Sequence, residues 1–163
     1  GSAQHLAGEL FNLLARTQLH HVAYKGGGPA MMDVMSGQVP LMFASMGSAW
    51  QHVKTGKLRA VAVGGLERSK AAPELPTIAE SGVPGYETYE WNAIFAPAGT
   101  PPAIVNRLST VLAKVLREPA IVERLAGIGA EPIGSTPAEL ETFRRAEIAK
   151  WQKVVKDSRL KLD

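Results

Sequence analysis

The fold is decided by residues 21–45, "HVAYKGGGPAMMDVMSGQVPLMFAS". A weakly alternating segment, His20 to Tyr24, reads as a short strand and leads into Lys25 and three glycines. Pro29 follows, at the first position of a helix, where its missing N–H costs nothing. Ala30, Met31, Val34 and Met35 recur at helical spacing, and Gly37 stops the run. Val39 to Ala44 is continuously apolar, the pattern of a strand covered on both faces, with Pro40 marking its start. Strand, glycine turn, helix and strand in succession form the repeating unit of a parallel sheet.

The same alternation extends both ways. Upstream, Leu6, Leu10, Leu13 and Leu14 predict a helix over Ala3 to Ala15, with Ser2 as its N-cap. Downstream, Ser45 to Ser48 turn into a helix through Trp50 and Val53 that ends at Gly56. Leu58 to Val63 is a further buried strand. Residues 1–65 thus predict an α/β unit with a mostly parallel sheet.

After Gly64-Gly65 the pattern changes. Residues 66–88 are rich in proline, glycine and charge, with a short helix expected near Thr77 to Ser81. Tyr89 to Ala96 reads as extended. Pro101 to Leu116 carries one stripe of Ile104, Val105, Leu108, Val111, Leu112, Val115 and Leu116, the clearest helix in the chain. A helix over Pro119 to Ile128 and a short strand at Ala130 to Ile133 follow. Thr136, Pro137 and Glu139 predict a near capping box opening a last helix, whose apolar face includes Leu140, Phe143, Trp151 and Val155.

Composition narrows the function classes. The chain has 163 residues, enough for one compact domain or two small lobes, and 45% of them are hydrophobic. A net charge of +3, with scattered basic residues, argues against a nucleic-acid surface. The absence of cysteine excludes disulfides, thiolate metal sites and cysteine catalysis. No apolar run reaches the roughly 18 residues a membrane span needs, and no signal peptide is visible. The abrupt Gly1-Ser2 start reads either as a vector remnant or as the edge of a segment from a longer chain.

Three strand-to-helix turns can converge beyond the carboxyl ends of such a sheet, where ligands bind. They are residues 1–5, 25–28 and 45–48. Free N–H groups and the helix dipole suit each to an anion, and glycine allows close backbone approach. The plainer reading is that Gly26 to Gly28 only make a tight turn. A nucleotide P-loop is excluded, because its lysine must follow the glycines and precede Ser or Thr. A dinucleotide G-x-G-x-x-G fails as well. His5, His20, His21 and His52 lack metal-ligand spacing, and only His5 stands near a proposed anion site. Asp33 reads as solvent-facing. No G-x-S-x-G elbow occurs, and no acid, base or nucleophile stands out.

Several stretches resemble one family. "GSAQHLAGELF", "HVAYKGGGPAMMDVMSGQVPLMFAS", "GKLRAVAV", "LPTIAESGVPGYE" and "FAPAGTPPAIVNRL" are similar to the extracytoplasmic solute receptors of tripartite tricarboxylate transporters, the TctC or Bug family. The similarity runs from residue 1 to about 155. It implies a type II periplasmic binding protein that closes on a small carboxylate, passes it to membrane permease subunits and does no chemistry. The glycine loop is then part of a carboxylate cradle. Its expected ligand-binding residues are Ser2, Ala3, Gln4, His5, Tyr24, Gly26, Gly27, Gly28 and Ser45. No metal, cofactor, catalytic residue or nucleic acid is expected, and the location is periplasmic.

The resemblance also carries departures. Family members are much longer, and the first lobe that leads into "GS" has no counterpart here, so Gly1-Ser2 matches the family's own sequence. By analogy residues 1–88 are the ligand-binding second lobe. Residues 89–163 are the hinge segment and the C-terminal helices of an incomplete first lobe. Pro40 and Ser45 stand where many members carry aspartates. The uncovered C-terminal helices imply a homodimer, or a fold-back onto residues 1–65. Two other functions compete: an effector-binding regulatory domain of the same bilobal fold, and an α/β enzyme acting on an anionic metabolite. The identity of the carboxylate is not written in the side chains.

Overall fold

The computed structural model describes residues 1–158 and 160. It holds six helices: α1 (Ala3–Ala15), α2 (Gly27–Met35), α3 (Met46–Lys54), α4 (Pro102–Val115), α5 (Pro119–Gly127) and α6 (Pro137–Asp157). Their ends follow local chemistry. The Ser2 hydroxyl accepts from the His5 amide at 3.3 Å and caps α1. At α6 the capping box is reciprocal: the Thr136 amide donates to Glu139 at 2.7 Å, and the Glu139 amide donates to Thr136 Oγ1 at 3.3 Å. The helix α2 opens two residues before Pro29, so the proline occupies its third position and not its first. That position still leaves no intrahelical donor missing.

The expected strands differ from the observed backbone. Residues 20–24, 40–44, 59–62 and 89–96 are extended, yet none makes a backbone–backbone hydrogen bond among the described residues. Among the described residues the single ladder contact is a parallel bridge between Val63 and Thr77. Its bonds run from the Val63 amide to Pro76 O and from the Ile78 amide to Val63 O, both 2.9 Å. A strand's apolar pattern specifies an extended backbone, but a ladder also needs a neighbour at about 4.8 Å. The short strand expected at Ala130 to Ile133 is likewise unpaired among the described residues.

The short helix expected at 77–81 is a single turn, closed by the Ser81 amide on Thr77 O at 3.1 Å. Gly82, with φ 106°, and Pro84 end it. Within that turn Thr77 and Glu80 bond reciprocally. The Thr77 amide donates to Glu80 Oε2 at 2.8 Å, and the Glu80 amide donates to Thr77 Oγ1 at 3.0 Å. Arg68 Nε reaches the same carboxylate at 3.0 Å. Much of the "P-T-x-x-E-x-G-x-P-G" signature therefore serves architecture.

The core lies where α6 crosses α1. Leu10, Val83, Tyr86 and Val154 form its centre, and Phe11, Ala15, Phe43, Ile78 and Trp151 pack around them. Burying such side chains is worth roughly 1.5–3 kcal/mol each. Glu147 is buried with them, and both demands of its carboxylate are met: Trp151 Nε1 donates at 2.9 Å, and Lys150 pairs with it. Hence the C-terminal half of α6 folds back onto residues 1–15. By contrast, α4 has no buried residue, and Ile104, Leu108, Val111 and Val115 of its stripe stay exposed.

Candidate functional site

The three proposed turns open α1, α2 and α3. Ser2 is the α1 cap, and Ala3, Gln4 and His5 form its first turn. Gly26 is the α2 cap, with φ 113°, a backbone that side chains rarely adopt. Among the described residues no side-chain hydroxyl or carboxylate caps the first N–H groups of α2. A Cβ placed on Gly26, Gly27 or Gly28 would meet nothing within 4 Å. Packing therefore does not demand glycine at 27 and 28, and the space before this loop is open. Ser45 caps α3, but its hydroxyl is engaged with Ser48 Oγ at 2.9 Å.

Two of the turns are tied to one extended segment. The His5 ring stacks on His21 with centroids 3.6 Å apart and planes 2° from parallel. Tyr24 donates its hydroxyl to Asp33 Oδ2 at 2.7 Å. That bond, with burial and the nearby negative charge as lesser causes, raises the Tyr24 pKa above its ordinary value. Asp33, expected to face solvent alone, instead anchors Tyr24 to the second turn of α2. Nothing in the sequence pattern marked this pair, because the partners are nine positions apart and lie on different elements. His21 was also missed as a partner of His5. The signal for it was its place near the start of the segment that feeds the glycine loop.

The Ser45 turn stands apart from these ties. Its helix is covered by the α5 exit: a Cβ on Gly129 would lie 2.8 Å from Met46 Cβ, and one on Gly47 3.6 Å from Ile128 O. Two concavities lie elsewhere. A groove of about 500 Å³ runs along the C-terminal end of α1, past Asn12, Thr17 and His20, and one of about 380 Å³ lies between Met32, Met35 and Lys57. Neither includes a residue of the three turns. Among the described residues no cluster of three His, Asp or Glu is placed to hold a metal. No helix among them is long and apolar enough to cross a membrane. The arrangement offers hydrogen-bond donors to an anion.

Comparison with known proteins gives this geometry its family. The chain matches the tripartite tricarboxylate transporter family receptor, TctC, over residues 1–160. It is 38% identical over 161 residues to a UPF0065 protein of the tcbD-tcbE intergenic region in Pseudomonas sp. strain P51, covering 98% of this chain and 48% of that protein. R. palustris Rpa4515, solved with adipate, superposes with a TM-score of 0.89 at 39% identity, covering 97% of this chain and 53% of its own. The periplasmic binding protein BugD gives 0.86 at 33%, over 98% and 54%. MatC from Rhodopseudomonas palustris, solved with bound malate, gives 0.81 at 30%, over 94% and 53%. This chain thus spans about half the length of these relatives. The superpositions carry the α/β periplasmic-binding-protein fold even though the extended segments are unpaired among the described residues. The matched family, the shared fold and the helix starts before an open glycine loop have one reading: the chain belongs to the TctC, or Bug, family of solute receptors.

Proposed function

We propose that this chain is the carboxylate-holding part of a periplasmic receptor that passes its solute to the membrane permease of a tripartite transporter. The observation that carries the reading is the α2 start. Its glycine loop faces open space, and the Gly27 and Gly28 N–H groups lack a side-chain cap among the described residues. A carboxylate there would accept from those donors and meet the positive end of the helix dipole. The relatives solved with adipate and with malate supply the ligand class. Ser2, Ala3, Gln4 and His5 would add donors from α1, Tyr24 would flank the loop, and Ser45 would contribute from α3. In this reading residues 1–88 are the ligand-binding lobe, and residues 89–163 are the hinge and the helices of the other lobe. The last of these, 159 and 161–163, lie outside the described residues. Binding and release need no chemical step.

The test is titration calorimetry and thermal shift of the protein with adipate, malate, citrate and an aromatic acid. A ligand at 100 times its dissociation constant adds about 2.7 kcal/mol to stability. The expected result is a raised melting midpoint with at least one dicarboxylate. A midpoint unmoved by every acid at millimolar concentration would overturn the proposal.

A further inference from the structure

Two side-chain contacts meet on residues 21–24, and each fastens a different helix start. Tyr24 holds the second turn of α2 through Asp33, and His21 holds the first turn of α1 through the His5 ring. The segment between them makes no backbone–backbone hydrogen bond among the described residues. The angle between the α1 and α2 starts is therefore set at this edge by side chains and not by a ladder. We infer that His21 is a positioning residue for the carboxylate site: by stacking on His5 it holds the α1 donors in register with the glycine loop. This inference rests on the carboxylate reading of the two helix starts.

The geometry separates His21 from ordinary packing. His21 is itself exposed, whereas only 11% of the His5 side chain is accessible. His21 thus helps to cover the His5 ring while its own outer face stays in solvent, outside the core cluster. His5 is held from its own helix as well, with Nε2 3.7 Å from Glu9 Oε1, and its Nδ1 lies 3.3 Å from the Gly1 amino group. Those contacts fix His5 on α1, and the stack reaches across to the segment feeding the loop. A site whose donors come from two elements gains from holding them in place before the ligand arrives. A carboxylate that spans both starts senses a shift of either.

The experiment compares wild type, His21→Ala and His21→Phe. Phenylalanine keeps a flat ring over His5, and alanine removes it. Adipate and malate affinities are measured by calorimetry, and amide exchange of residues 3–6 is followed by NMR. With the preorganisation it supplies worth what ordering one side chain costs, His21→Ala should weaken binding about three- to tenfold. His21→Phe should bind within about twofold of wild type, and the melting midpoints of all three should agree within a few degrees. Equal affinity in His21→Ala and wild type would overturn the inference, as would failure of His21→Phe to restore binding. If wild type binds neither acid, the carboxylate reading fails, and the exchange data decide positioning alone. Faster exchange of residues 3–6 in His21→Ala, restored in His21→Phe, supports it, and unchanged exchange refutes it.

Discussion

The hydroxyl of Tyr86 donates to the backbone carbonyl of Ala7 at 3.1 Å, across 79 positions of chain. Tyr86 is wholly buried, and its ring meets Phe11 edge-on at 6.1 Å. Burial pushes its pKa up, opposed in part by a contact with Thr88. One residue of the "VPGYE" turn thus pins the signature segment to the middle of α1. Tyr86→Phe should cost about 1 kcal/mol, the value of one hydrogen bond. Tyr86→Ala should cost about 3–5 kcal/mol, because it also empties the site. Chemical denaturation of the three proteins checks both values, and equal stability of Tyr86→Phe and Tyr86→Ala would contradict the packing role.

Two distant passages of the chain touch at Gly64 and Thr88. The Thr88 amide donates to Gly64 O at 2.8 Å, and a Cβ on Gly64 would stand 2.3 Å from Thr88 Oγ1 and 3.2 Å from Thr88 O. That Cβ would collide with a short side chain and with backbone, so the passages must part. Gly64→Ala should destabilise the protein by about 1–3 kcal/mol, as overpacking does. The double variant Gly64→Ala with Thr88→Ser would still meet the hydroxyl and the backbone oxygen, and should recover little. Full recovery would place the strain elsewhere.

Gly27 is a different kind of glycine. Its φ is ordinary, and a Cβ there meets nothing within 4 Å. Gly27→Val should leave the melting midpoint within a few degrees of wild type while weakening carboxylate binding about tenfold or more, by filling the space before the α2 donors. Unchanged affinity in calorimetry would mean that the loop serves the turn alone.

Acid sensitivity should trace to paired carboxylates on helix surfaces. Glu141 is lowered from the ordinary 4.5 to about 2, chiefly by its hydrogen bonds to Arg144 and then Arg145. A carboxylate that is more acidic in the folded state stabilises it fully above its unfolded pKa. That contribution is lost as pH falls through the folded value. The melting midpoint of wild type should therefore drop more steeply between about pH 4.5 and 2 than that of Glu141→Gln. Parallel curves would show that solvent screening removes the effect at this exposed site.

The α4 stripe invites self-association. Ile104, Leu108 and Val111 are each between 42% and 50% exposed on one helix face, a run of apolar surface uncommon on a monomer. Wild type should self-associate at micromolar concentration in sedimentation velocity, and Leu108→Glu should shift it toward the monomer without lowering its melting midpoint. A monomeric wild type would show that this face is tolerated bare.

How much of this was legible varies with the reach of the interaction. Helix α1, with its Ser2 cap, and α6, with its Thr136–Glu139 box, were readable because capping and 3.6-residue periodicity act within one turn. The extended character of residues 20–24 and 40–44 was readable for the same local reason. Their pairing was not, since a ladder depends on which segment lies alongside. The helix expected at Thr77 to Ser81 is a single turn in the structure, ended by Gly82 and Pro84. In the site, the sequence determined that small and glycine residues open helices after extended segments, and the family motifs carried the carboxylate expectation. Only the tertiary structure decided that Tyr24 bonds Asp33, that His21 covers His5, and that α6 instead of α4 closes over α1. Those contacts join residues on separate elements, and their energy exists only once the chain has brought the elements together.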